Sequence, residues 1–123
     1  MFEGVFCPSI TITDDDGMID YELWGRHLDH LTDAGIDGVL LFGSIGEFYS
    51  VSLEDKKSVV DFAVERVADR MKVFVGVGDT TYDNVLELTR YAQKSGAGAV
   101  LAVSPYYFGP TDDAAEKYFG GIA

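Results

Sequence analysis

The feature that most limits the fold of this chain is a repeated switch in hydrophobic period. Residues 5–10, 38–42, 73–77 and 99–103 form four short apolar runs, rich in Val, Leu, Ile and Phe and without clean polar alternation. Such runs read as strands buried on both faces. Between them lie three longer stretches with helical spacing: Trp24, Leu28 and Leu31, then Val59, Val60, Ala63 and Val67, then Val85, Leu88 and Ala92. Each set puts one apolar stripe on one helix face, ready to cover a sheet.

The punctuation agrees with the period. Asp20, Ser52 and Thr80 or Thr81 are placed to cap the three helices, because a short side-chain oxygen accepts an orphan backbone N–H. Gly35 and Gly96 follow the first and third helices, where a left-handed residue closes the last turn. A fourth helix is expected to begin after Thr111 and to be cut by the chain end. The segment Ala34-Gly35-Ile36-Asp37-Gly38-Val39-Leu40 resembles Ser95-Gly96-Ala97-Gly98-Ala99-Val100-Leu101, a faint internal repeat of helix stop, small-residue turn and buried strand. Strands joined by single helices run parallel. Two architectures hold four such units: a small doubly wound sheet of the flavodoxin kind, or half of a (β/α)8 barrel, which needs about 250 residues when whole.

Composition narrows the function. The chain has 123 residues and a net charge of −12, which argues against nucleic-acid backbones and anionic membrane surfaces as partners. A small anionic substrate stays compatible, because a local field can oppose the net charge. At 47% apolar residues, disorder is excluded. A lone cysteine, Cys7, excludes an internal disulfide and a Cys-based zinc cluster, and its apolar run makes it a core thiol. No apolar stretch approaches the roughly 20 residues of a membrane span. No basic region precedes an apolar one at the N-terminus, so the expected compartment is the cytoplasm.

In parallel sheets chemistry collects on the loops after the strands' C-terminal ends. The second strand runs into Gly43-Ser44-Ile45-Gly46-Glu47-Phe48, where two glycines bracket a hydroxyl residue. That spacing suits a backbone nest for a carboxylate or phosphate, and equally a plain tight turn before the Ser52 cap. The third runs into Gly76-Val77-Gly78-Asp79-Thr80-Thr81, which begins like G-x-G-x-x-G but carries Thr81 at the third glycine position and no basic residue. It reads as a turn and helix cap. The fourth runs into Ser104-Pro105-Tyr106-Tyr107-Phe108-Gly109-Pro110, whose aromatics serve proton relay or packing.

Other candidates fall away. Asp14-Asp15-Asp16-Gly17 lacks both end ligands of a calcium loop, Ile12 and Leu23 standing in their places. His27 and His30 have no third ligand, and no metal site is expected. Lys56, Lys57, Lys94 and Lys117 fall on predicted helices and Lys72 at a strand's N-terminal end, so none is expected to become a buried amine of low pKa.

Taken together, Gly43-Ser44-Ile45-Gly46-Glu47, Gly76-Val77-Gly78 and Ser104-Pro105-Tyr106-Tyr107 resemble the dihydrodipicolinate synthase/N-acetylneuraminate lyase family, as do Phe2-Glu3-Gly4-Val5 and Asp16-Gly17-Met18-Ile19-Asp20. The likeness runs along essentially the whole chain. It implies the N-terminal half of a (β/α)8 TIM barrel, a single partial domain over 1–123 truncated in the fourth helix. The family condenses or cleaves 2-oxo acids through a lysine imine with pyruvate, needs no cofactor and is usually tetrameric. By the match, the amides of Ser44 and Ile45 hold the pyruvate carboxylate. The Ser44 hydroxyl joins a proton relay with Tyr107, which in many members reaches a neighbouring subunit's site, and Tyr106 lies at the subunit interface.

Two departures from the family pattern matter. Many synthases carry a second hydroxyl residue where Ile45 stands, which brings this chain nearer the branch that cleaves 2-keto-3-deoxy sugar acids. The family's catalytic tyrosine and imine lysine fall on later strands, so no imine chemistry is expected of 1–123 alone. The competing reading is a self-contained flavodoxin-like binding module without catalysis.

Overall fold

A computed structural model describes residues 2–107 and 109–123. Four strands form one sheet: β1 (Phe6–Pro8), β2 (Gly38–Leu41), β3 (Lys72–Gly76) and β4 (Ala99–Leu101). Four helices alternate with them: α1 (Tyr21–Asp33), α2 (Leu53–Val67), α3 (Tyr82–Ser95) and α4 (Asp112–Ile122). All the pairings are parallel, and the strands lie in the order β1-β2-β3-β4.

That order decides between the two architectures. A doubly wound sheet reverses its strand order at a switch point and divides its helices between two faces. Here the strands follow chain order, and the helices pack side by side in the same order, α1 on α2, α2 on α3 and α3 on α4. This is the winding of a barrel, and the flavodoxin-like alternative is set aside.

The helix stripes behave as their spacing requires. Trp24, Leu28 and Leu31 of α1, Val59, Val60, Ala63 and Val67 of α2, and Val85, Leu88 and Ala92 of α3 are buried. They share one core with Val39, Leu41, Val73 and Val75 of the strands. The opposite sheet face is also apolar. Phe74 stacks on Phe6 at 4.9 Å and meets Phe2 edge-on at 4.9 Å, beside Leu40 and Ala99 in a groove of about 380 Å³. Two apolar faces explain the missing alternation in these strands.

Caps fall largely as expected. Asp20 accepts from the Leu23 amide at 2.8 Å, Ser52 from Asp55 at 3.1 Å and Thr111 from Ala114 at 3.3 Å. Gly35 and Gly96 are left-handed, at φ +75° and +92°. The third cap differs. Neither Thr80 nor Thr81 caps α3 with its side chain; Asp79 instead accepts from the Thr81 amide at 2.9 Å. A carboxylate two residues ahead makes this Asx-type bond more strongly than a hydroxyl does.

β1 and β4 are shorter than their apolar runs, and Val5, Ile10 and Val103 are exposed. Cys7 is only half-buried, because β1 is an edge strand with a neighbour on one side. Asp14 folds onto its own backbone, accepting from the Asp16 and Met18 amides at 3.0 and 2.9 Å, which makes the acidic run a turn.

Candidate functional site

The site is built where the parallel strands end. A cavity of about 270 Å³ is lined by Phe42, Gly43 and Ser44 after β2, Gly76 and Gly78 at the end of β3, Leu101, Ala102 and Val103 at the end of β4, and the Phe48 ring. All of these belong to the C-terminal rim, the face on which barrel enzymes carry their chemistry. A larger cavity of about 510 Å³ opens at the opposite rim among Asp37, Lys72 and Gly98. It lies between strand N-termini and helix C-termini, the end of a barrel that serves stability rather than chemistry, and the smaller one is the better candidate.

The β2 loop is held in an unusual backbone path. Phe42 and Glu47 bracket it in left-handed conformations, φ +55° and +49°. A bulky residue there costs about 1 kcal/mol or more, and such strain persists only where the surroundings impose it. They do so here. The Phe42 side chain is buried against Trp24, ring centroids 6.4 Å apart. Its carbonyl leans over Gly76 so closely that a Cβ there would lie 2.2 Å from the Phe42 oxygen. At the far end, a Cβ on Gly46 would meet the Ser9 carbonyl at 2.9 Å. The Thr11 hydroxyl donates to the Gly46 carbonyl at 2.5 Å, and the Glu47 amide donates to the Ser44 carbonyl at 3.2 Å. Loop 43–46 is thus pinned from the segment after β1, from β3 and from α1, and its backbone turns at Ser44 and Ile45. A rigid corner at Ser44 on a cavity with no charged side chain among the described residues is suited to one small acid group.

Ser44 lines this cavity, whereas Ile45 beside it does not and is 58% exposed. Tyr107 does not line it. It stands on the same rim, after β4, but borders a second cavity of about 280 Å³ with Asp79, Tyr82, Tyr106 and Tyr118. Tyr107 is 84% exposed, and the structure does not bring it and Ser44 of one chain into a common pocket. Tyr106 is half-exposed, its ring edge-on to Phe48 at 5.9 Å. Phe108, the third aromatic in this run, lies outside the described residues. His27 is partly buried on α1, its pKa pushed down by burial first and by His30 second.

The lysine expectation needs correction. Lys56 is 1% exposed, although it lies on α2. Its Nζ donates to the Gly78 carbonyl at 3.3 Å and sits 3.9 Å from Asp79 Oδ2, at the same rim. Burial pushes its pKa below 10.5, and the Asp79 carboxylate opposes that drop. The signal was present in the spacing: positions 56, 59, 60, 63 and 67 form one continuous stripe, so Lys56 occupies the inward face one turn ahead of Val59 and Val60.

Comparison with known proteins places this geometry. The chain is 36% identical over 123 residues to the 4-hydroxy-tetrahydrodipicolinate synthase of Bartonella bacilliformis. It is 33% identical to Escherichia coli K12 YagE, whose curated name assigns it provisionally as a 2-dehydro-3-deoxy-D-gluconate aldolase. The crystal structure of YagE in complex with pyruvate superposes with a TM-score of 0.96 over 100% of this chain and 41% of that one. The dihydrodipicolinate synthase of Aquifex aeolicus superposes with a TM-score of 0.93 at 34% identity, over 98% of this chain and 41% of that one. The chain therefore spans about two fifths of the length of these relatives and matches the N-terminal half of their barrel. The family model of the dihydrodipicolinate synthetases matches residues 1–123 from end to end, and with the sequential barrel winding and the loop at Ser44 it establishes that this chain belongs to the dihydrodipicolinate synthetase family.

Proposed function

We propose that 1–123 is a single partial domain, the first half of a pyruvate-dependent aldolase or lyase that works through a lysine imine. The observation that carries this is the pinned 43–46 loop, which sets Ser44 on an uncharged cavity at the C-terminal rim. The two amides hold the carboxylate of pyruvate or another 2-oxo acid, which sets the C2 carbonyl toward the barrel axis. A lysine amine from a later strand, beyond residue 123, attacks C2. Loss of water gives the imine, which serves as an electron sink so that the C3 proton or a C3–C4 bond can leave its electron pair behind. No cofactor is required for that chemistry.

Ser44 serves the proton traffic of these steps. Its hydroxyl moves protons between water and the reacting oxygen without placing a charge in the cavity. The Tyr107 hydroxyl reaches the site of a neighbouring subunit, with Tyr106 at the contact, in a cytoplasmic homotetramer. This assignment accords with a Tyr107 that stands away from the Ser44 cavity of its own chain. Among the described residues no helix is long and apolar enough to cross a membrane. Cleavage of a 2-keto-3-deoxy sugar acid is the favoured reaction over lysine-pathway condensation, because Ile45 replaces the second hydroxyl common in the synthases. YagE, bound to pyruvate in its crystal structure, supports the first substrate.

Borohydride reduction of the full-length parent with pyruvate tests the reading. Peptide mapping is expected to find one reduced adduct on a lysine beyond residue 123, and none on Lys56, Lys57, Lys72, Lys94 or Lys117. An adduct on any of these five, or none anywhere, contradicts it.

A further inference from the structure

Lys56 is the only buried charged side chain among the described residues, and nothing in the proposed chemistry uses it. Its partners, the Gly78 carbonyl that accepts at 3.3 Å and the Asp79 carboxylate as counterion at 3.9 Å, are those of an ammonium. The Phe48 ring centroid lies 5.9 Å from the same nitrogen, within cation–π range. Lys56 and Asp79 line a small cavity of about 70 Å³ with Phe48, Tyr49, Gly78 and Tyr106. Phe48 and Gly78 also line the Ser44 cavity. A cation is therefore held behind a wall that it shares with an acid-gripping loop.

Charge arithmetic gives that placement a use. The chain carries −12, and its overall field repels a 2-oxo acid anion. No Lys or Arg among the described residues lines the Ser44 cavity. A charge buried in low dielectric, away from salt, acts across a side-chain layer far more strongly than one on the surface. Resting on the function proposed above, we infer that Lys56 sets the specificity of the Ser44 cavity for anionic 2-oxo ligands, acting across the Phe48–Gly78 wall without touching them. It is a positioning residue: it fixes Gly78 and Phe48 and supplies a field. Asp79 is its counterweight, and removing that charge acts in the opposite direction.

The test compares pyruvate with its uncharged methyl ester as ligands of the full-length parent. Lys56→Met is expected to weaken pyruvate binding about 5- to 10-fold and ester binding less than about 2-fold. Lys56→Arg is expected to keep both within about 2-fold, because it keeps the charge. Asp79→Asn retains an oxygen for the Thr81 amide and is expected to tighten pyruvate about 2-fold while leaving the ester unchanged. Equal weakening of acid and ester by Lys56→Met means a packing role and overturns the inference, as does no change in either. If Lys56→Met does not fold, Asp79→Asn decides, and failure to tighten pyruvate overturns it. A wild-type parent that binds no pyruvate overturns the proposed function itself, and this inference falls with it.

Discussion

Gly76→Ala is expected to lower the stability of the fold by about 3 kcal/mol, read as a shift in the chemical-denaturation midpoint at unchanged slope. The added methyl would lie 2.2 Å from the Phe42 oxygen, 2.7 Å from its carbonyl carbon and 3.0 Å from the Leu41 oxygen. All three are backbone atoms of the neighbouring strand's end, and no rotamer change relieves the clash. The ladder must open there: β3 pairs with β2 from Gly38↔Lys72 to Leu41↔Val75, one residue short of Gly76. Opening it releases Phe42 from its left-handed conformation, so the same variant is expected to loosen the Ser44 corner and weaken pyruvate binding in the parent. A stability loss below about 0.5 kcal/mol, the level of an unconstrained surface change, would show that the Phe42–Gly76 approach does not hold this loop.

Ser44→Ala is expected to reduce kcat of the full-length parent about 100-fold while KM for pyruvate changes less than about 3-fold. The split follows from which atoms do what. The carboxylate is assigned to backbone N–H groups, which alanine retains, and the proton relay to the hydroxyl, which alanine lacks. The loop path is set by Phe42, Gly46 and Glu47 rather than by the Ser44 side chain, so the corner survives the change. Ser44→Thr keeps the hydroxyl and is expected to retain kcat within about 10-fold. Steady-state kinetics with pyruvate and a sugar-aldehyde partner reads both numbers. Loss confined to KM would move Ser44 from proton transfer to binding.

The parts of this molecule that were legible in the sequence are those specified by local period. Trp24, Leu28 and Leu31, or Val85, Leu88 and Ala92, declare a helix face wherever they stand, and the structure buries them all. The barrel order was not legible, because strands β1 to β4 look alike one at a time and their sequence is set by packing across the sheet. The motif resemblance pointed to it; periodicity did not. Strands stop short of their apolar runs where edge strands lack a neighbour, as at Val5 and Val103. The Ser44 loop was visible from its bracketing glycines, whereas the reason for its rigidity was not. The contact of Phe42 with Gly76 joins residues on different strands, and the bond from Thr11 to Gly46 spans 35 positions.

Lys56 shows the opposite failure. A lysine on a predicted helix is not expected to be buried, yet its place in the stripe with Val59, Val60, Ala63 and Val67 puts it on the inward face. A long side chain at the first turn of α2 reaches the β3 loop, where the Gly78 carbonyl and Asp79 satisfy it. Asp79, rather than Thr80 or Thr81, serves the α3 entry, and it also faces the buried cation.

The most direct measurement is a crystal structure of the full-length parent soaked with pyruvate. The carboxylate is expected within about 3 Å of the Ser44 and Ile45 amide nitrogens, with the Ser44 hydroxyl facing the substrate. A pyruvate carboxylate held by other groups, with the 43–46 loop empty, would contradict the account.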